Sequence, residues 1–95
     1  MAAGVQIYLT AACPYCQAAE RLLADKGVRD LQRVRVDLEP ARRAEMRARS
    51  GRHTVPQIWI GGRHVGGCDE LYALERAGEL DALLASHASH EAERT

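Results

Sequence analysis

The sequence predicts an α/β fold, a four-stranded mixed sheet flanked by helices in the order β-α-β-α-β-β-α. Three observations predict it. Short β-branched and apolar runs at residues 5–9, 33–38 and 55–60 are separated by segments whose apolar residues recur at helical spacing. The last run is followed at once by Gly61-Gly62, a hairpin turn, and a brief return strand at Arg63-His64-Val65. The chain has 95 residues, 46% hydrophobic and 27% charged, which suits a single small domain with a modest core.

Val5-Gln6-Ile7-Tyr8-Leu9 reads as a buried strand that stops at Ala11-Ala12-Cys13-Pro14. Pro14 suits the first position of a helix, and Ala18, Ala19, Leu22 and Leu23 carry its apolar face until Gly27 ends it. Residues 33–38 alternate polar and apolar, so the opening is a βαβ unit with parallel strands and a right-handed crossover. That crossover places Cys13 where the first strand's carboxyl end meets the helix's amino end. A charged helix is expected over residues 41–49, with Ala44, Met46 and Ala48 as a thin apolar face. After the hairpin, Asp69 is a plausible cap for a further helix, whose pattern of Leu71, Tyr72, Leu74, Leu80, Leu83 and Leu84 breaks near Gly78. Residues 1–85 form the expected domain; residues 86–95 are a polar tail expected to fray.

Thirteen basic side chains balance 13 acidic ones, so no overall field favours nucleic acid or an anionic membrane as partner. No apolar run is long enough to span a bilayer, and the start lacks the basic residues of a secretory signal. Three cysteines do not make a paired disulfide framework, and the expectation is a cytoplasmic protein, monomeric for want of a long exposed apolar stretch.

Cys13-Pro14-Tyr15-Cys16 carries the chemistry. A C-x-x-C after the first strand of a βαβ unit is a redox motif, and residues three apart in a first helical turn are close enough to form a disulfide. Cys13 sits where unpaired N–H groups and the helix dipole favour a thiolate nucleophile; Cys16, one turn in, suits a resolving thiol. A zinc pair is the competing reading, but zinc wants four ligands and only Cys68 and four scattered histidines remain, so no metal site is expected. In Thr54-Val55-Pro56, the proline either marks an ordinary edge strand or follows a cis bond that turns the Val55 backbone outward to pair with an extended substrate beside Cys13. Gly66-Gly67-Cys68-Asp69 reads as a turn plus a helix cap, or as a carboxylate pocket with Asp69 beside it for an ammonium group.

With these elements in order, the chain closely resembles a glutaredoxin, in particular the bacterial type-3 subgroup. The resemblance runs from Val5 to Leu84 on Cys-Pro-Tyr-Cys at 13–16, Ser-Gly-Arg at 50–52, Thr-Val-Pro-Gln-Ile at 54–58 and Gly-Gly-Cys-Asp-Glu-Leu at 66–71. It implies a thioredoxin-like fold, a cis Pro56, no bound cofactor, and glutathione as cosubstrate. By the same carry-over Tyr15 flanks the glutathione sulfur, Thr54, Val55 and Pro56 form its backbone cradle, and Gly67, Cys68 and Asp69 hold the γ-glutamyl end. Cys68 matches the subgroup's extra cysteine, read here as a small buried side chain or a redox-sensitive modulator. Two departures stand out. Relatives commonly carry a lysine where this chain has Thr10, and often an arginine or threonine where it has His53. Arg49 and Arg52 are the candidates to supply the missing charge, while Arg42, Arg43 and Arg47 read as a solvated helix face.

The function this implies is glutathione-dependent thiol-disulfide oxidoreduction, acting on protein–glutathione mixed disulfides and protein disulfides and coupled to glutathione reductase through glutathione. Two alternatives are a redoxin reduced by thioredoxin reductase, which would not need the 54–56 and 66–69 elements, and a [2Fe–2S] carrier, disfavoured by Pro14 and Cys16.

Overall fold

A computed structural model describes residues 4–85; the 86–95 tail lies outside the described residues. The elements run β1 (Val5–Leu9), α1 (Pro14–Asp25), β2 (Leu31–Arg35), α2 (Pro40–Ser50), β3 (Gln57–Ile60), β4 (Arg63–Gly66) and α3 (Cys68–Arg76), and residues 80–85 are again helical. The sheet order is β2-β1-β3-β4, with β1 and β2 parallel and the other pairs antiparallel. The expected mixed sheet and element order are both present. So is the expected thioredoxin-like α/β architecture.

Each face of the sheet has its own core, because successive side chains of a strand point to opposite sides. Val5, Ile7, Leu9, Ile58 and Ile60 meet Cys16, Ala19, Leu22 and Leu23 of α1, together with Leu71 and Leu80. Tyr8 and Trp59 meet Val34, Val36 and Met46 on the other side. The Tyr72 hydroxyl donates to the Ala18 carbonyl at 3.3 Å, tying α3 to α1. Lys26 bridges Glu75 at 2.7 Å and Asp81 at 3.0 Å, so the end of α1 is joined to the last two helical segments.

Three local expectations need correction. β2 covers Leu31–Arg35 rather than 33–38, since its five residues pair with the five of β1, from Val5↔Leu31 to Leu9↔Arg35. Beyond Arg35 that partner is used up: Val36 still donates to the Leu9 carbonyl and is buried, but the chain then turns and Leu38 is 67% exposed. β3 begins at Gln57, leaving 54–56 outside the ladder.

The third correction is the face of α2. Ala44 and Ala48 are exposed and Met46 alone is buried, because 44, 46 and 48 are spaced for a strand rather than a helix. The sheet-facing side is Arg42, Glu45, Met46 and Arg49. The Arg49 guanidinium lies 4.2 Å from the Trp59 ring centroid and donates to Gln6 Oε1 and the Tyr8 hydroxyl, both at 2.7 Å. Arginine stems and cation–π contacts thus replace aliphatic packing here. The Tyr8 hydroxyl donates to Glu45, and burial raises its pKa from the ordinary tyrosine value.

Met46→Ala should destabilise the protein by about 2–5 kcal/mol. Ala48→Gln should stay within about 0.5 kcal/mol of the parent. Urea denaturation of both variants checks this; equal effects would contradict the assigned face.

Candidate active site

The end of β1 and the start of α1 deliver Cys13 to the rim of the sheet. Cys13 is the N-cap of α1, in extended conformation, and its Sγ accepts the Cys16 N–H at 3.2 Å. Pro14, which has no N–H to leave unpaired, follows at the first helical position. Cys13 is half-buried and Cys16 fully buried, and both are free thiols. Burial, reinforced by the hydrogen bond to Cys13, pushes the Cys16 thiol up to about 12. The two sulfurs therefore differ in kind: one is at the surface with an N–H aimed at it, the other is dry.

The loop before Cys13 is held from β2. Arg35 donates twice to Asp37, at 2.7 Å each, and Asp37 accepts the Ala11 N–H at 3.3 Å. The arginine beside it holds the Asp37 carboxyl well below the usual carboxylate range.

Opposite Cys13 lies the Val55-Pro56 bond, which is cis. Pro56 precedes β3, which lies between β1 and β4, so the edge-strand reading of this proline does not hold. The Val55 carbonyl oxygen faces the Cys13 thiol at 4.0 Å. A cleft of about 200 Å³ opens beside this pair, walled by Tyr15, Arg52, Thr54, Val55, Pro56 and Gln57 on one side and by Gly67, Cys68, Asp69 and Glu70 on the other. Tyr15 is 65% exposed, an aromatic ring standing at the cleft edge.

The second wall depends on two adjacent glycines. Gly66 has φ 119°, and a Cβ there would meet Glu70 at 2.8 Å; one on Gly67 would stand 3.2 Å from the Pro56 carbonyl oxygen. Their missing side chains let the 66–70 turn close against the cis peptide. Gly67, not Asp69, is the N-cap of α3, which corrects the expected cap; Asp69 lies in the first turn and is exposed. The Gly67 N–H donates to Glu70 Oε1 at 2.7 Å, and Arg52 reaches the same oxygen at 3.2 Å. The Gly67 N–H, followed by Arg52, lowers the Glu70 pKa from its ordinary value. Cys68 is buried with its pKa raised, chiefly by that burial.

A glutaredoxin family model matches residues 5–65 of this chain. The chain belongs to the glutaredoxin family. It is 60% identical over 82 residues to a glutaredoxin of Pseudomonas aeruginosa, covering 86% of this chain and 96% of that protein. It is 54% identical over 82 residues to glutaredoxin 3 of Escherichia coli K12, covering 86% of this chain and 98% of that protein. The crystal structure of a buckwheat glutaredoxin–glutathione complex superposes with a TM-score of 0.84 at 30% identity, covering 90% of this chain and 80% of the other.

Every site residue expected from sequence in this glutaredoxin, from Cys13 and Cys16 through Tyr15, Thr54, Val55 and Pro56 to Gly67, Cys68 and Asp69, falls at this one edge. Arg52 lines the cleft. Arg49 does not; it is held on Trp59, on the α2 face of the sheet. Two cleft residues escaped the sequence reading. Gln57 sits in an apolar run, and Glu70 was passed over beside Asp69, although a glutamate three residues after a helix cap is a capping-box signal that could have revealed it.

A depressed carboxyl contributes stability that is present above its unfolded pKa, about 4.3, and is lost as pH falls through the folded value. Glu70→Gln keeps an acceptor for Gly67 but cannot titrate. Urea midpoints from pH 7 down to pH 3 should therefore fall less steeply below about pH 4.3 in the variant than in the parent; parallel acid limbs would show that Glu70 gains nothing from ionisation.

Proposed function

We propose that this glutathione-dependent thiol-disulfide oxidoreductase uses Cys13 as nucleophile and Cys16 as resolving thiol, with glutathione lying in the cleft between Tyr15, the 54–56 segment and the 67–69 turn. The observation that carries the reading is the placement of Cys13 Sγ, 3.2 Å from the Cys16 N–H and 4.0 Å from the Val55 carbonyl, at the mouth of that cleft. A backbone N–H directed at sulfur stabilises the negative charge of an attacking thiolate.

In the first step the Cys13 thiolate attacks the glutathione sulfur of a protein–glutathione mixed disulfide. The old S–S bond breaks, the protein leaves as a thiolate that takes up a proton, and Cys13 becomes glutathionylated. A second glutathione thiolate then attacks that glutathionyl sulfur, releasing glutathione disulfide and restoring the Cys13 thiolate. For a protein disulfide, Cys13 attacks one sulfur and Cys16 then attacks Cys13, expelling the reduced protein; two glutathiones reduce the resulting Cys13–Cys16 bond.

Glutathione disulfide is returned to glutathione by glutathione reductase, so the coupling to that enzyme is indirect. The wider setting we propose is a monomer in the cytoplasm acting on glutathionylated or disulfide-bonded proteins. A cleft of about 200 Å³ lined by Val55, whose carbonyl faces Cys13, supports glutathione rather than thioredoxin reductase as the electron source.

Cys13→Ser should abolish turnover of both substrate types, while Cys16→Ser should keep deglutathionylation and lose protein-disulfide reduction. Consumption of NADPH through glutathione and glutathione reductase reads both, and thioredoxin reductase in their place should support no turnover. Loss of deglutathionylation in Cys16→Ser would overturn this division of roles.

Thr10→Lys should lower KM for a glutathione mixed disulfide and make it more dependent on ionic strength, as an added cation would draw in a glutathione carboxylate. Steady-state kinetics at low and high salt test this; an unchanged KM would mean that Arg52 already supplies the charge.

A further inference from the structure

Among the described residues Gln57 is the one polar or charged residue that is buried, with no exposed surface at all. Its amide is shared between two partners. Nε2 donates to the Thr54 carbonyl at 3.1 Å and lies 3.3 Å from the Thr54 hydroxyl, while Oε1 lies 2.8 Å from His64 Nε2. A carbonyl oxygen can only accept, so the amide nitrogen must face Thr54 and the amide oxygen must face His64. The His64 nitrogen that meets that oxygen therefore carries a hydrogen in the neutral and the charged ring alike. The ring itself is fixed against Trp59, with centroids 4.6 Å apart.

This hydrogen-bonded relay ends at the segment just before β3, whose Val55 packs against both cores while its Thr54 polar groups meet Gln57. Thr54 and Val55 precede β3 and lie outside the sheet ladder, yet their groups form the cleft wall opposite Cys13. We propose that His64 is a positioning residue for the glutathione-dependent reaction. Through Gln57 it fixes the Thr54 carbonyl and hydroxyl, and with them the Val55 carbonyl that faces the Cys13 thiol. His64 touches no reacting atom; it acts from β4, with Gln57 between it and the cleft. The inference rests on the assignment of this cleft to glutathione.

His64→Phe keeps a ring against Trp59 and removes the donor; His64→Gln restores a donor of similar reach. With a glutathionylated peptide as substrate, His64→Phe should raise KM about three- to tenfold, the worth of a lost hydrogen bond, with kcat within about twofold. His64→Gln should return KM to within about twofold of the parent. Combining His64→Phe with Gln57→Leu should raise KM less than the product of the two single effects, since both break one connection. Nitrogen-15 NMR of the unsubstituted protein should show neutral His64 in the Nε2–H form.

An unchanged KM in His64→Phe, equal impairment in His64→Gln, strictly multiplicative effects in the double variant, or the Nδ1–H form would each overturn the proposal. Should His64→Phe fail to fold, the tautomer decides. A parent protein that turns over no glutathione mixed disulfide would instead overturn the assignment of the cleft, a different result from a parent that is active and indifferent to His64.

Discussion

Because β1 lies between β2 and β3 and is covered on both faces, it cannot slide or tilt without opening two cores at once. Ile7 and Tyr8, adjacent in sequence and opposite in direction, have no exposed surface. The carboxyl end of such a strand is a fixed point, and the loop that carries Cys13 begins there. Everything at the site is then placed by what pairs or packs with β1: β3 brings the Thr54-Val55-Pro56 approach, β2 brings Asp37, and α1 places Cys16 beneath Cys13.

The two faces of the sheet are built from different materials. The α1 side is an aliphatic core that also buries Cys16, whereas the α2 side combines Tyr8, Trp59 and Met46 with two arginines and a glutamate. Tyrosine and tryptophan permit this because a large apolar body is joined to a polar handle or a cation-accepting ring. A small chain with 4% aromatic residues thus concentrates three of its ring contacts in one place, Tyr8 against Trp59 and Trp59 against His64 and Arg49. That choice leaves the other face free to keep the Cys16 thiol dry.

Strand existence, helix existence and the clustering of the site were legible because they rest on period and motif. Cys13 and Cys16 are three residues apart at the start of a helix wherever that helix packs, and Pro56 and Gly67 carry their backbone constraints with them. Strand ends were not legible: the limit of β2 is set by where β1 stops, and β1 is more than twenty residues away in the chain. The face of α2 was misread because alanines at 44 and 48 look apolar in isolation, while the side of the helix that meets aromatic rings can use arginine instead. Arg49 and Arg52 show the same limit. Only two residues separate them, but the end of α2 falls between, and one packs on the sheet face while the other lines the cleft.

Dryness at Cys16 also sets a tempo. Burial pushes the Cys16 thiol up, so at neutral pH it is a slower attacker than an exposed thiol. In the proposed cycle, the glutathionylated enzyme is therefore a waiting state rather than a fleeting one. How long it waits would depend on how soon a free small thiol arrives from solution, which ties the pace of the proposed cycle to the abundance of its own reductant.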